Sequence, residues 1–365
     1  MDIITKTPKK VVVGMSGGVD SSAAAWLLKQ EGYDVIGVTM EIWQQEETSD
    51  VEENGGCCGL SAVEDARRVA ETIGIPHYVM NFRKEFKKSV IDYFISEYTC
   101  GRTPNPCIAC NRYVKWEALL DRSLDIGADY IATGHYARIG QLPNGRYAIR
   151  NSVTEAKDQT YALYNLTQEQ LARTLMPDGV YTKDEIRAMA ENAGLPTAHK
   201  ADSQDVCFVP DGDYAGFITS NSDYRPVPGN FVDPAGNVLG THRGIIHYTV
   251  GQRRGLDLPM GHRVFVTQIR PESNEVVVGE GSDVFSDRLL CTKLNWMAWE
   301  DLPIGESRKA MVKIRYAHRG APATVRRTGP DEAEVIFDAP VRAITPGQAA
   351  VFYDGEYIAG GGSIP

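Results

Sequence analysis

The sequence predicts an N-terminal α/β domain built on a parallel sheet, a small β-rich central domain, and a C-terminal antiparallel β-barrel. Three observations carry this. β-branched runs alternate with helical patterns through residues 1–210. Helical periodicity fades after Ser220, and Gly, Pro and short β-rich runs take over. A second β-rich block begins near Ser286 and continues to the C-terminus. The expected domains are therefore 1–210, 211–283 and 284–365.

The first element is KKVVVG, where Val11, Val12 and Val13 read as a buried strand. The turn that follows, Gly14 to Gly18, cannot continue it, and from Asp20 the pattern is helical, with Ala24, Leu27 and Leu28 on one face. Such a turn feeds backbone N–H groups into a helix N-terminus and makes a nest for a phosphate, with hydroxyls from Ser16, Ser21 and Ser22. There is no Gly-Lys-Ser/Thr ending, which excludes a Walker loop. The glycine spacing does not make a GxGxxG dinucleotide fingerprint either.

DVIGVTMEIW is the second strand, and Met40 at its carboxyl end stands where an adenine would lie in an open α/β sheet; a core methionine is the alternative. An acidic stretch ending in Cys57 and Cys58 follows, then the helix AVEDARRVAETIG and the strand PHYVMNF. A helical stretch leads to CGRTPNPCIACN, a basic segment in which Pro104 and Pro106 are read as barring a helix until about Tyr113. DYIATGH ends a strand at Gly134 and His135. A hairpin turns at LPNG, and the polar run Lys157, Asp158, Gln159 precedes two helices and Cys207. The β-rich remainder runs through GNFVD, NVLG, RVFVTQI and EVVVG, then MVKIRYA, ATVRR, AEVIF and AAVFY.

Composition bounds the function. The chain has 365 residues, 42% hydrophobic and 24% charged, with no apolar run of membrane-spanning length and no apolar N-terminal stretch resembling a signal peptide. Seven unevenly spaced cysteines suit reactive thiols in a reducing compartment better than a disulfide framework, so a cytoplasmic location is expected. Net charge is −10, yet residues 308–327 carry seven basic side chains and no acidic one, and Arg243, Arg253, Arg254, Arg263 and Arg270 face only Asp257. A charge run is usually a solvated face, but clusters of one sign in an acidic protein also fit a polyanion partner.

SGGVDS resembles the PP-loop of the ATP pyrophosphatases, the adenine nucleotide alpha-hydrolase-like fold. Together with TPNPCIACN, ATGHYAR, KDQTYAL, the DSQDVCFV setting of Cys207 and KIRYAHRGAP, it resembles the bacterial tRNA-specific 2-thiouridylases over nearly the whole chain. That resemblance implies ATP-dependent replacement of the position-2 oxygen of the tRNA wobble uridine by sulfur. Gly14, Met15, Ser16, Gly17, Gly18, Val19, Asp20 and Ser21 would grip ATP, with Met40 and Gly134 completing the nucleotide site and magnesium on the phosphates. Cys207 would carry a persulfide, and Cys110 would attack it and end as a Cys110–Cys207 disulfide. The sulfur would come from a persulfide donor, a cysteine desulfurase or sulfur-relay protein. Asn105, Pro106 and Cys107 would face the target base, while Lys157, Asp158, Gln159, Arg315 and Tyr316 would touch tRNA elsewhere.

Many members of that family carry an aspartate where this chain has Cys107, so no carboxylate role is carried over to that position. The resulting Cys107-x-x-Cys110 pair, with Cys207, could alternatively ligate an iron–sulfur cluster. Two other functions compete: another PP-loop enzyme, such as a tRNA-lysidine synthetase or a small-molecule ligase, and a non-catalytic nucleotide-dependent RNA-binding protein. Neither needs Cys110 and Cys207, which by themselves could be inert core thiols.

Overall fold

The computed structural model describes residues 8–42, 60–201 and 206–365. Cys57, Cys58 and the residues just before Val206 lie outside that set. The chain divides into two compact units, Met1–Val90 with Cys107–Pro210, and Ile91–Pro106 with Asp211–Pro365.

The first unit is an α/β fold. Strands β1 (Lys10–Gly14), β2 (Asp34–Glu41), β3 (His77–Asn81), β4 (Tyr130–Ala132) and β7 (Thr174–Leu175) form a parallel sheet in the order β3-β2-β1-β4-β7. β1 is central, and its Val11, Val12 and Val13 are fully buried, as expected of a strand covered on both faces. The chain leaves β1 toward β2 on one side and later returns to β4 on the other. The carboxyl end of β1 is thus a topological switch point, where open α/β sheets bind ligands. Helix α1 (Val19–Gln30) packs its Ala23, Ala24, Leu27 and Leu28 into the same core as Ala66, Val69 and Ala70 of α2 (Leu60–Ile73). β5 (Ala137–Gln141) and β6 (Tyr147–Asn151) make the expected antiparallel hairpin. Helix α3 (Lys183–Asn192) starts at a capping box: Thr182 accepts from the Glu185 backbone, and Glu185 reaches back to Thr182 N.

The second unit carries two sheets. β8 (Gly229–Val232), β9 (Val238–His242), β10 (Phe265–Arg270) and β11 (Glu275–Gly279) lie in the order β10-β11-β8-β9, with β11 and β8 parallel. β12 (Phe285–Trp296), β13 (Ser307–Lys313), β14 (Ala321–Gly329), β15 (Glu332–Arg342), β16 (Ala349–Asp354) and β17 (Tyr357–Ser363) form an antiparallel barrel in the order β12-β15-β14-β13-β16-β17. Pairing of β12 with β17 closes it. Val312, Val325, Val335 and Phe352 fill the interior.

Two local expectations are corrected. The segment read as barred from helix by its prolines is helical from Pro106: Pro106–Ala109 runs straight into the wide-turn helix Cys110–Leu119. Proline fits the first helical position, where its missing N–H has no intrahelical acceptor to satisfy. KIRYA also does not stay in a strand. β13 stops at Lys313, and Arg315 and Tyr316 sit in the turn that follows.

Candidate active site

The phosphate loop leaves β1 while still stitched to the sheet, since Met15 N donates to Val38 O at 2.8 Å. Thr39 Oγ1 donates to Met15 O at 2.9 Å and lies 2.9 Å from His77 Nε2. Because the threonine hydrogen is used on Met15, His77 Nε2 is the donor to Thr39. Burial and then Arg67 lower the His77 pKa, keeping that ring neutral. Gly17 has φ +69°, and a Cβ there would fall 2.4 Å from Ala62 O. Only glycine fits. Ser16 N donates to Ser21 Oγ at 3.1 Å, while Ser21 and Ser22 hydroxyls donate to Gly18 O at 3.2 and 2.8 Å. The loop thus folds over the start of α1, whose first-turn N–H groups have no intrahelical acceptors. Gly134, just past β4, closes the other side: its Cβ would lie 2.6 Å from the Asp20 carbonyl carbon and 2.7 Å from Ser21 N. Met40 is on β2, two residues beyond the Val38 that pairs with Gly14.

Charge surrounds this nest. Asp20 Oδ1 accepts from Lys183 Nζ at 2.6 Å and from Tyr136 OH at 2.8 Å. Lys200 Nζ donates to Gly17 O at 3.1 Å and to Asp65 at 2.6 Å. Burial resists ionisation of Asp65, but hydrogen bonds from Lys200 and Arg68 outweigh it and hold its pKa below the usual value. Two ammonium groups are therefore anchored on an anion-binding loop by side chains far apart in sequence.

Cys110 and Cys207 belong to this same unit. Cys110 is half-buried at the start of its helix, Cys207 is half-buried in the turn before the buried Phe208, and Cys107 is exposed. Phe208 packs edge-on against Phe86 with ring centroids 5.7 Å apart. Nearby in the Cys110 helix, Asn111 is buried and donates to Ala162 O at 2.9 Å. Next to Gly134, His135 Nδ1 is 2.7 Å from Thr133 Oγ1, and its ring meets Trp116 at 5.4 Å. Burial first, and then Lys115, push the His135 pKa well below its ordinary value. Cys291 in the barrel contrasts with the three: fully buried, its thiol is pushed up to about 12, mainly by burial.

The remaining sequence candidates divide by what their side chains do. Asp158 is turned onto its own loop, accepting from Ser152 N at 2.9 Å and from the Thr160 backbone at 3.1 Å. Gln159 accepts from Tyr136 N at 2.9 Å. These two shape the turn, and Lys157 lies partly exposed before them. In the second unit, Thr103 N donates to Pro346 O at 2.8 Å and Gln348 Nε2 donates to Thr103 O at 2.8 Å. Those bonds anchor the chain two residues before Asn105 to the loop before β16. Arg315 donates to Arg342 O at 2.9 Å, and the Tyr316 ring is exposed.

Comparison with known proteins covers nearly the whole chain. The tRNA methyl transferase HUP domain family matches residues 9–211, the tRNA methyl transferase PRC-barrel domain 217–280, and the aminomethyltransferase beta-barrel domain 286–364. The tRNA-specific 2-thiouridylase MnmA of Lachnoclostridium phytofermentans is 64% identical over 98% of this chain and 99% of its own length. This chain belongs to the tRNA-specific 2-thiouridylase family. The proteins of the same name from Acetivibrio thermocellus and Clostridioides difficile are 55% and 53% identical, each over 98% of this chain and at least 98% of their own length. As a 2-thiouridylase, the chain is a tRNA-uridine 2-sulfurtransferase. The methyl transferase wording of two domain descriptions is not carried by these full-length relatives.

Sequence reasoning about this 2-thiouridylase missed Lys183, Lys200, Tyr136 and His77 around the loop. Lys183 stands in TKDE, a capping-box signature that marks a helix start and so fixes where its ammonium emerges. Lys200 and Tyr136 carry no local signal.

Proposed function

We propose that this protein performs ATP-dependent 2-thiolation of the tRNA wobble uridine, using the phosphate loop for activation and Cys207 and Cys110 for sulfur transfer. The observation that carries the reading is the loop itself: a glycine-lined anion nest with Lys183 and Lys200 anchored on it, in the same unit as both thiols. The position-2 oxygen is a very poor leaving group. Its attack on the α-phosphate of ATP expels pyrophosphate and makes AMP the leaving group. Residues 14–21 would hold the phosphates, and Met40 and Gly134 would border the nucleoside. Magnesium, when bound, neutralises charge on the departing pyrophosphate. Among the described residues no three His, Cys, Asp or Glu side chains are grouped to hold a metal ion, so phosphate oxygens and water would hold it. An iron–sulfur cluster on Cys107, Cys110 and Cys207 is the alternative to this thiol chemistry.

A Cys207 persulfide, charged by a cysteine desulfurase or sulfur-relay protein, solves the sulfur problem. An ordinary thiol near pKa ~8.5 is mostly protonated at neutral pH, and a persulfide is more acidic. Its terminal sulfur goes to C2 of the activated uridine as the Cys110 thiolate attacks Cys207 Sγ. The persulfide S–S bond breaks, AMP departs with the oxygen, and a Cys110–Cys207 disulfide remains for an external thiol to reduce. The structure holds the two as thiols. Asn105, Pro106 and Cys107 would meet the target base; Lys157 to Gln159, Arg315 and Tyr316 would contact tRNA. Domain limits of 1–210, 211–283 and 284–365 and a cytoplasmic location belong to this reading. No helix among the described residues is long and apolar enough to cross a membrane.

Mass spectrometry of tRNA nucleosides tests it. A strain lacking this protein should lose 2-thiouridine at the wobble position and regain it from the intact gene, but not from Cys110→Ser or Cys207→Ser. Unchanged thiolation in the deletion strain would refute the proposal.

A further inference from the structure

One buried ionisable group beside the phosphate loop has no part in the steps above. Asp178 lies in the turn Pro177–Val180, which packs against α1 and β5. The turn is pressed inward because its Gly179 sits on β5, where a Cβ would meet Ala137 O at 1.9 Å, and Gly179 O accepts from Val153 N at 3.2 Å. Asp178 is 0% exposed, and neither carboxyl oxygen has a hydrogen-bond partner among the described residues.

An ion in such a place is penalised by several kcal/mol, so the group folds as the neutral acid. The charged groups facing it are Asp20 from α1 and Lys183 from α3; Arg138 of β5 has its Nε committed to Asn151 O at 2.6 Å. Burial pushes the Asp178 pKa well above the carboxylate range, Asp20 adds to the rise, and Lys183 opposes it. Asp20 and Lys183 are themselves paired at 2.6 Å.

We propose that Asp178 is a positioning residue for nucleotide binding: as a neutral acid it leaves Lys183 able to turn from Asp20 to the phosphates of ATP, and as an anion it holds Lys183 back. The proposal rests on the ATP reading. Nucleotide binding needs the lysine to exchange one carboxylate for phosphate oxygens. The buried Asp178 carboxylate competes for the ammonium of a pair that is only partly exposed, at 12% for Lys183 and 33% for Asp20, so solvent screens the competition only in part. Ionisation of Asp178 therefore weakens ATP binding, while a bound nucleotide reacts as before.

The test is the KM for ATP and the kcat of tRNA-dependent pyrophosphate release, followed from about pH 6 to pH 9. In the unmodified protein KM should rise about tenfold at the alkaline end with kcat little changed. Asp178→Asn, neutral at every pH, should keep the neutral-pH KM and lose the rise. Asp178→Leu should lose it as well, which covers the case in which the asparagine variant fails to fold. A rise that persists in either folded variant, or active protein with a flat profile, overturns the role of Asp178. Protein that releases no pyrophosphate at any pH overturns the ATP reading and this inference with it.

Discussion

In the first unit, Gly17 and Gly134 let backbone lie against backbone beside the phosphate loop, where a Cβ would fall 2.4 Å from Ala62 O or 2.6 Å from the Asp20 carbonyl carbon. In the barrel, Gly360 and Gly362 do the same for β17 against β12, where a Cβ would meet Asn295 O at 2.6 Å or Thr292 O at 2.7 Å. The steric fact is identical and the outcome differs. Around the loop, close approach shapes an anion nest at a strand end. In the barrel it closes the last seam of a sheet and leaves no edge. Cys110 and Cys207 also contrast with Cys291. Cys110 and Cys207 are partly accessible beside polar segments, whereas Cys291 is sealed in the barrel core with its thiol pushed up to about 12.

The thiols give the largest expected contrast. Cys110→Ser and Cys207→Ser should each lower thiolation on the order of 10³-fold or more, the scale of removing a nucleophile. Cys291→Ala should leave the rate intact and lower only the melting temperature. Equal losses in all three, measured by 2-thiouridine formation, would erase the distinction. Cys107→Ser should keep a measurable rate.

Glycine substitutions come next. Gly134→Ala should cost about 1–3 kcal/mol and raise the KM for ATP, while Gly360→Ala should cost a similar amount and leave that KM unchanged. Thermal melts paired with pyrophosphate release separate the two. A Gly360 variant that lost nucleotide affinity would show that the barrel seam also serves the loop.

A smaller effect is expected at the basic turn of the barrel. If Arg315 contacts a tRNA phosphate, Arg315→Ala should reduce the slope of log affinity against log salt by about one unit. An unchanged slope would leave Arg315 to its bonds with Arg342 O and Ala343 O.

Stability against pH gives the smallest effect. Asp178 has a raised pKa when folded, so its contribution is fully present below the unfolded carboxylate value and is lost as pH rises through the folded one. Asp178→Asn removes that loss. Its stability relative to the unmodified protein should climb with pH, by roughly 1 kcal/mol. A constant difference would mean that the carboxyl stays charged.

Much of this was legible in the sequence. The valine run of β1, the glycine turn and the alanine-rich α1 agree at every local level, and so do the β-branched strands of the barrel. β17 carries little local signal because IAGGGS has poor strand propensity; its glycines are there for close approach, which only the partner strand explains. The helix beginning at Pro106 was hidden because proline was read as a breaker where it is a starter. Lys183 and Lys200 stand 163 and 183 residues from the loop atoms they touch, beyond the reach of any local pattern. Asp178 is invisible for another reason: an aspartate in PDG reads as a solvent-facing turn residue, and only its full burial makes it unusual.

The pairing of Cys110 with Cys207 is the centre of the account, and non-reducing peptide mapping reaches it most directly. After turnover with ATP, tRNA and a persulfide donor, the map should show a peptide containing Cys110 linked to one containing Cys207, absent when ATP is withheld. A Cys107–Cys207 link, or no link in protein that has thiolated its tRNA, would contradict it.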